Sequence, residues 1–415
     1  MHLCGLLLCL VLGTGLAGVC QAQSTGPFRL EAPRRHRARI PIQIQRNLVV
    51  VSVMLNGYGP FNFLLDTGVA TSIITSPALA DSLRLRHGQV FRVTGAGGSD
   101  MGLQAYQADS VRVSLAGVVA DYMPLLVLSQ DVLNLSGYVG TPIHGIMGSE
   151  LFRSFVITLR PEEGHLVATR PDAFRAPKGR LWSSLPLSLE NNKAYFTTPV
   201  QLTDSLTLPL KLVLDTGASH ALSVELDSDP RLMGPAQRLP ADLGRGLTGI
   251  VQGFLGRVPR LQLGRYSLPN VLASFPNSAD VHRRIDVPRN GNVGYELLKR
   301  FSLVIDYPHQ RLLLRPNEQF RDGFEHDMCG LEFMAVGADL RRYIILRVMP
   351  NSPAAAAGLT PEMELVSINL IPASFFNLTQ LSRIMHSQDG RNIMLLLRRP
   401  DGELQTTTVR LKRQI

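Results

Sequence analysis

Five residues occur twice in this chain. Leu64-Leu65-Asp66-Thr67-Gly68 returns as Val213-Leu214-Asp215-Thr216-Gly217. Each copy is an apolar strand ending in an aspartate, followed by a hydroxyl residue and a glycine that lets the backbone turn sharply. An aspartate directly after a buried strand is costly to place unless something exploits it. A second matching block follows each copy at nearly constant distance. Asp66 and Asp215 lie 149 residues apart (215 − 66), Gly148 and Gly294 lie 146 apart (294 − 148), and Phe155 and Phe301 also 146. Glu150-Leu151-Phe152-Arg153-Ser154-Phe155 aligns with Glu296-Leu297-Leu298-Lys299-Arg300-Phe301. One such tripeptide arises by chance. Two of them, with matching downstream blocks, mark an internal duplication and suggest one site built from both copies.

The rest of the chain reads as mainly β. Ile40 to Ile44 and Leu48 to Val53 are rich in β-branched residues and partly alternating, which predicts strands. Asn56-Gly57 predicts a turn, after which Phe61 to Leu65 delivers Asp66. A loop and a short helix are expected from Thr71 to Arg84, and strands at Val90–Val93, Val111–Val113 and Leu125–Leu128. Gly145 to Gly148, a helix near 149–154 and a closing hairpin complete the unit. Pro171, Pro177 and Gly179 mark a linker, and the same order then repeats to Leu314. A glycine-rich segment runs from Gly244 to Gly256.

With 415 residues the chain should hold two or three domains, and 45% hydrophobic against 18% charged residues makes it globular. The net charge of +9 is most concentrated in Arg34-Arg35-His36-Arg37-Ala38-Arg39, which reads as a solvated basic arm, with an acidic partner as the alternative. No basic–aromatic interleaving points to nucleic acid. Residues 1–22 read as a secretory signal, with an apolar run through Leu6 to Leu12 and cleavage near Ala22/Gln23, so export to the periplasm or medium is expected. Cleavage would remove Cys4, Cys9 and Cys20 and leave Cys329 alone. Membrane association is expected only if Cys20 is a lipidated first residue. Residues 23–39 are Arg-rich enough to contact a carboxylate pair.

Two aspartates at hydrogen-bonding distance cannot both ionise easily; they share a proton and titrate as a pair. The ionised one can draw a proton from a water between them, and the protonated one can polarise a carbonyl. That is general acid–base hydrolysis of an amide. Each threonine can bond across to the opposite loop, and each glycine keeps Cβ atoms out of the water site. The alternative for one such site alone is a turn-capping aspartate.

At Asp66-Thr67-Gly68, Asp215-Thr216-Gly217, Ile146-Met147-Gly148 and Asn292-Val293-Gly294 the chain resembles the pepsin-like and retropepsin-like aspartic proteases. The resemblance covers residues 38–316. It implies two retropepsin-like β-barrel lobes with a cleft between them, catalytic Asp66 and Asp215, and support from Thr67, Gly68, Thr216, Gly217, Ser219, Gly148 and Gly294. Val69-Ala70 departs from the family pattern, so a supporting hydrogen bond on that side would come from Thr71 or Ser72. Asn292 replaces an apolar residue. The cleft-covering flaps are expected at Thr94 to Gly98 and at Gly244 to Gly253. His220 reads as a surface or cleft residue; His282 and His309 show no metal-ligand spacing, and no metal or cofactor is expected. Asn134-Leu135-Ser136 and Asn377-Leu378-Thr379 match glycosylation sequons.

A different pattern begins at Gly330-Leu331-Glu332-Phe333. Ser352-Pro353-Ala354 to Gly358-Leu359, followed by Val366-Ser367-Ile368-Asn369, resembles a bacterial protease-associated PDZ domain. The resemblance implies an α/β module whose groove takes a peptide between Gly330, Leu331, Glu332, Phe333 and the helix face at Leu378 and Leu381. A stabilising module without a ligand is the alternative. The expected organisation is a signal (1–22), two protease lobes (23–170 and 180–316) and a PDZ-like domain (328–415). The function expected is an exported aspartic endopeptidase acting on polypeptides; the alternative is an inactive, peptide-binding relative.

Overall fold

The computed structural model describes residues 26–93, 95–97, 102–281 and 287–415. The leader with Cys4, Cys9 and Cys20 lies outside the described residues, as do Thr94 and Gly98 of the first expected flap and His282. The described residues are mainly β, with three sheets and short helices between them.

In the first lobe, Leu48–Leu55 runs into Asn56 and Gly57, both at positive φ (51° and 84°). That is the backbone of a tight hairpin turn, and it suits asparagine–glycine. The chain returns as Tyr58–Leu65, antiparallel to the preceding strand with Val50 opposite Leu64. On its other edge lies Gly145–Met147, in parallel, with Leu64 opposite Ile146. Ile73–Ile74 follows on antiparallel, then Val118–Leu128 parallel to it. The second lobe repeats this arrangement. Lys193–Gln201, Thr207–Leu214, Gly291–Val293, Leu222–Val224 and Tyr266–Pro276 stand side by side with the same directions. The duplication read from sequence spacing is therefore a duplication of topology.

The lobes share a sheet. The first lobe's hairpin, Val156–Arg160 and His165–Thr169, joins the second lobe's hairpin, Phe301–Asp306 and Arg311–Pro316, through antiparallel pairing of Ile157 with Ile305 and Leu159 with Leu303. One buried apolar cluster spans both lobes and contains Phe63, Leu65 and Phe152 together with Leu212, Leu214 and Leu298. Both aspartate-bearing strands thus rest on a common core.

The expected glycine-rich loop at 244–256 is a hairpin of two strands, Leu239–Gly246 and Gly249–Leu263, with a register shift at Asp242/Gly244. Gly244 sits at this bulge, Gly246 and Gly249 at the tip, and Gly253 and Gly256 within the second strand, so the segment is not one loop. A helix at Leu135–Val139 was not foreseen. It is capped by Asn134, whose side chain accepts the Gly137 N–H, and ends at Gly140 with φ of 79°.

The polar stretch after Pro316 is pinned to the second lobe. Buried Arg300 donates to the carbonyls of Asp322 and Gly323 and stacks 3.8 Å over Phe324. The C-terminal module has its own core, built on Leu331, Phe333, Leu365, Leu381, Leu395 and neighbours. Its strands run in the order Leu331–Val336, Arg342–Val348, Glu364–Ile368, Asn392–Arg398, Leu404–Arg410, with the helix Leu378–Met385 packed against them. Among the described residues no helix is long and apolar enough to cross a membrane.

Candidate active site

Each aspartate leaves its strand held by a backbone bond to the block behind it: Asp66 N–H to Met147 O (2.9 Å) and Asp215 N–H to Val293 O (3.0 Å). The two loops then clasp one another. Thr67 Oγ1 donates to Leu214 O (2.6 Å) and Thr216 Oγ1 to Leu65 O (2.8 Å). The Thr216 N–H donates to Thr67 Oγ1 (3.0 Å) and the Thr67 N–H to Thr216 Oγ1 (3.1 Å). Both hydroxyls therefore give and receive across the lobe boundary, in a site with almost no water access.

The glycines are needed for the close approach. A Cβ on Gly217 would lie 2.1 Å from the Asp66 carboxyl carbon, and one on Gly68 would lie 2.9 Å from that of Asp215. Their N–H groups bond the aspartate two residues back, Gly68 to Asp66 Oδ1 at 2.6 Å and Gly217 to Asp215 Oδ1 at 3.1 Å. The structure thus brings Asp66 and Asp215 together with Thr67, Gly68, Thr216 and Gly217. Burial, together with the Asp215 charge, pushes the Asp66 carboxyl well above the ordinary range. Burial also raises Asp215, held back by the Asn292 amide and the charges of Arg289 and Lys193. The two carboxyls act on each other directly, and carboxyls this closely placed share a proton.

The supports behind the loops differ between lobes. In the first, Ser72 Oγ accepts the Gly148 N–H (2.8 Å) and donates to Glu150 Oε2 (2.8 Å), while the Ser72 N–H donates to Glu150 Oε1 (2.9 Å). Ser72 therefore braces the loop through Gly148 and does not bond the Asp66 carboxyl, the bond expected from Thr71 or Ser72. Burial raises the Glu150 carboxyl above its ordinary value. In the second lobe Gly294 sits so tightly that a Cβ would lie 2.2 Å from His220 O. Ser219 is buried, and its carbonyl accepts from Asn47 Nδ2. Asn292 is the residue that sequence reasoning undervalued: its Nδ2 donates to Asp215 Oδ2 at 2.7 Å. His220 is buried rather than on the surface, and its Nε2 contacts Asn292 Oδ1 at 3.2 Å. The signal available was a polar residue in an apolar strand position. His309 lies at the surface, 2.7 Å from Asp306. Among the described residues no group of three or more His, Cys, Asp or Glu could hold a metal.

Two hairpin tips meet beside the site. The Thr248 N–H donates to Ala96 O (3.2 Å), and Thr248 Oγ1 lies 3.0–3.2 Å from the carbonyls of Gly95, Ala96 and Gly97. Ala96 packs in a cluster with Leu243 and Val251 of the second lobe. Leu247 joins a first-lobe cluster that includes Val69, next to Asp66-Thr67-Gly68. Asp66 and Asp215 are each 1% exposed, so this is a closed arrangement.

In the C-terminal module, Leu331, Glu332, Phe333, Leu378 and Leu381 are all buried. Leu331–Val336 is the edge strand of its sheet, and the first lobe lies over it. Asn134 Nδ2 lies 3.2 Å from the Met334 sulfur, and a Cβ on Gly137 would lie 3.0 Å from Ala335 O. A Cβ on Gly140 would lie 3.0 Å from Leu378, and the Arg46 N–H donates to Thr379 Oγ1 at 2.9 Å. Arg347 pairs with Asp242 of the second lobe and faces Glu332 at 3.5 Å. Gly330 (φ 85°) packs against Ser352. The groove is therefore covered by the chain's own first lobe, and an external peptide would have to displace it.

Residues 51–151 match the aspartyl protease family, and residues 344–399 match the PDZ domain. The chain carries an aspartyl protease domain and a C-terminal PDZ domain. The aspartyl protease match takes in Asp66, Thr67, Gly68 and Gly148 and ends before the second lobe. A solved structure, the photosystem II D1 C-terminal processing protease, is similar to part of the chain at 19% identity and a TM-score of 0.19. That likeness covers 20% of this chain and 22% of the other, so the chain spans about a fifth of the solved structure it matches. No curated protein matches the chain.

Proposed function

We propose that the chain is an aspartic endopeptidase whose single catalytic site is built from both lobes. The observation that carries this reading is the reciprocal threonine clasp, which sets two buried carboxyls face to face. With one proton between them, the ionised carboxylate takes a proton from a water as its oxygen bonds the amide carbon. The other carboxyl gives its proton to the carbonyl oxygen. As the resulting diol collapses, the first carboxyl returns its proton to the leaving nitrogen and the second is reprotonated from a diol hydroxyl. The PDZ domain, a peptide-binding module, would serve substrate or partner peptides. Export belongs to the same reading and is supported by the apolar run from Leu6 to Leu12 ahead of small residues.

Asp66→Asn and Asp215→Asn are each expected to abolish cleavage of casein at mildly acid pH, measured by release of acid-soluble peptides. Cleavage that survives in both variants would sink the reading. The rival is a non-catalytic peptide-binding relative. It gains if wild type cleaves nothing between about pH 3 and about pH 8 while the PDZ domain still binds peptides.

A further inference from the structure

The two halves of the site differ at two positions that the duplication makes equivalent. Asn292 stands where the first lobe has Ile146 (292 − 146), and His220 stands where it has Thr71 (220 − 149). We propose that Asn292, oriented by His220, is the positioning residue that makes Asp215 the water-activating base and leaves Asp66 as the proton donor. This rests on the endopeptidase reading above.

The geometry is unequal on the two sides. Asp215 accepts a bond at each oxygen, from the Gly217 N–H at Oδ1 (3.1 Å) and from Asn292 Nδ2 at Oδ2 (2.7 Å). Asp66 accepts only at Oδ1, from the Gly68 N–H (2.6 Å). Its Oδ2 is buried, and no donor among the described residues reaches it. Two donors on a carboxylate favour its ionised form, whereas a carboxyl oxygen without a donor is best protonated and free to donate. The other groups facing the pair are Lys193, whose charge acts on both carboxyls, Arg289, which acts on Asp215, and the buried Tyr307, which faces both. Burial raises both carboxyls, while the Asn292 bond works to lower Asp215 alone.

Asn292 turns its Nδ2 to the Asp215 carboxylate, and His220 holds the amide that way round by taking up its Oδ1. Reversed, the amide would set its oxygen against the Asp215 carboxylate. Because Asn292 Oδ1 is an acceptor, the contact at 3.2 Å places the imidazole proton on Nε2. Burial holds the ring pKa down at about 4, so it stays neutral above that pH while still donating from Nε2. In the first lobe Ile146 sits in an apolar cluster with Leu64, Val69 and Ile73, so no equivalent donor reaches Asp66.

The test is the pH profile of kcat/KM on a fluorogenic peptide cut by wild type. Asn292→Leu should move the acid limb up by about one to two pH units, a ten- to hundredfold loss on the acid side with less loss near neutrality. His220→Leu should move it the same way by less, and His220→Gln, which can still donate to Asn292 Oδ1, should restore it. A loss equal at every pH, with the limb unmoved, overturns the proposal. A second measurement does not need activity. In an Asp66→Asn background, isotope-edited infrared titration follows Asp215 alone, and Asn292→Leu should raise its midpoint; an unmoved midpoint overturns the proposal. Asn292→Ala carries the same expectations if the leucine variant fails to fold. A wild type that cleaves nothing counts against the endopeptidase reading, whereas an unmoved Asp215 midpoint counts against this one.

Discussion

At the residue scale the site depends on two glycines more than on any side chain beside the carboxyls. Their substitution should not be symmetric. A Cβ on Gly217 would stand 2.1 Å from the Asp66 carboxyl carbon, which is backed by the shared core, while one on Gly68 would stand 2.9 Å from Asp215. Gly217→Ala is expected to lower kcat by about a hundredfold through displacement of Asp66, and more than Gly68→Ala; steady-state kinetics on the same peptide decides. Glu150 offers a second residue-level test. Its carboxyl is buried against Ser72 and titrates above the ordinary value of 4.5. A raised folded value stabilises the protein fully below the unfolded pKa and is lost as pH rises through the folded one. Glu150→Gln should therefore flatten the dependence of Tm on pH above about pH 4.5, by up to about 1.4 kcal/mol per pH unit of the shift removed. The aspartates and their threonines were legible in the sequence because the motif is local and repeated. Asn292 was not, because its role depends on how close a third strand passes behind the second loop.

At the scale of elements, two contacts decide access. The hairpin tips at 95–97 and 246–249 hold each other through Thr248. The single hydroxyl proton serves one carbonyl at a time, so Thr248→Ala removes about 0.5–1.5 kcal/mol and leaves the backbone bond to Ala96. The expected result is up to about tenfold faster amide exchange at Thr248 and its neighbours, with the core strands unchanged. The second contact is the helix Leu135–Val139 against the edge strand Leu331–Val336. Gly137 permits it, since a Cβ there would crowd Ala335 O at 3.0 Å and the Asn134 cap at 2.9 Å. Gly137→Val should lift the helix at a cost of about 1–3 kcal/mol and expose the Met334–Val336 backbone. Hydrogen exchange read by mass spectrometry would show it, and unchanged protection there would mean that the helix does not cover the groove. The strands were legible from β-branched runs and turns. This helix was not, because one i, i+3, i+4 set (Leu135, Tyr138, Val139) in five residues is too short to read as helical, and its order comes from Asn134, Gly140 and the module it touches.

At the scale of the whole molecule the lobes behave as one body, because their closing hairpins complete a single sheet and their cores merge. Buried carboxyls dominate its response to pH. Asp66, Asp215, Glu150 and Glu332 are all raised, first by burial, whereas the lowered carboxyls Glu163, Asp172, Asp229 and Glu364 owe their shifts first to bonds from arginines, and Glu163 and Asp172 are exposed and solvent-screened. Raised groups take up protons on folding, so their stabilisation falls as pH rises. Buried His220, held down at about 4 against an ordinary 6.5, works the other way below that ordinary value, so the carboxyls act alone only above about pH 6.5; Tm should fall as pH rises from there, and calorimetry in buffers of different ionisation enthalpy should detect proton release on unfolding in that range. A Tm that rises through this range would contradict the burial pattern.

The sequence by itself determined the duplication, the β-rich class, the identity of the paired aspartates and the presence of a distinct C-terminal module. These follow from short-range patterns: strand periodicity, turn residues and the fixed spacing of repeated blocks. Only the tertiary structure decided that the two aspartates are not equivalent, since the donor that separates them, Asn292, reaches Asp215 from a strand 77 residues further along the chain. It alone joined the lobes through one sheet, closed the hairpin tips on each other and laid the first lobe over the edge strand of the last module. Each of these is a contact between segments far apart in the chain. Their pairing is set by shape and buried hydrogen-bond demand in three dimensions, which local pattern does not encode.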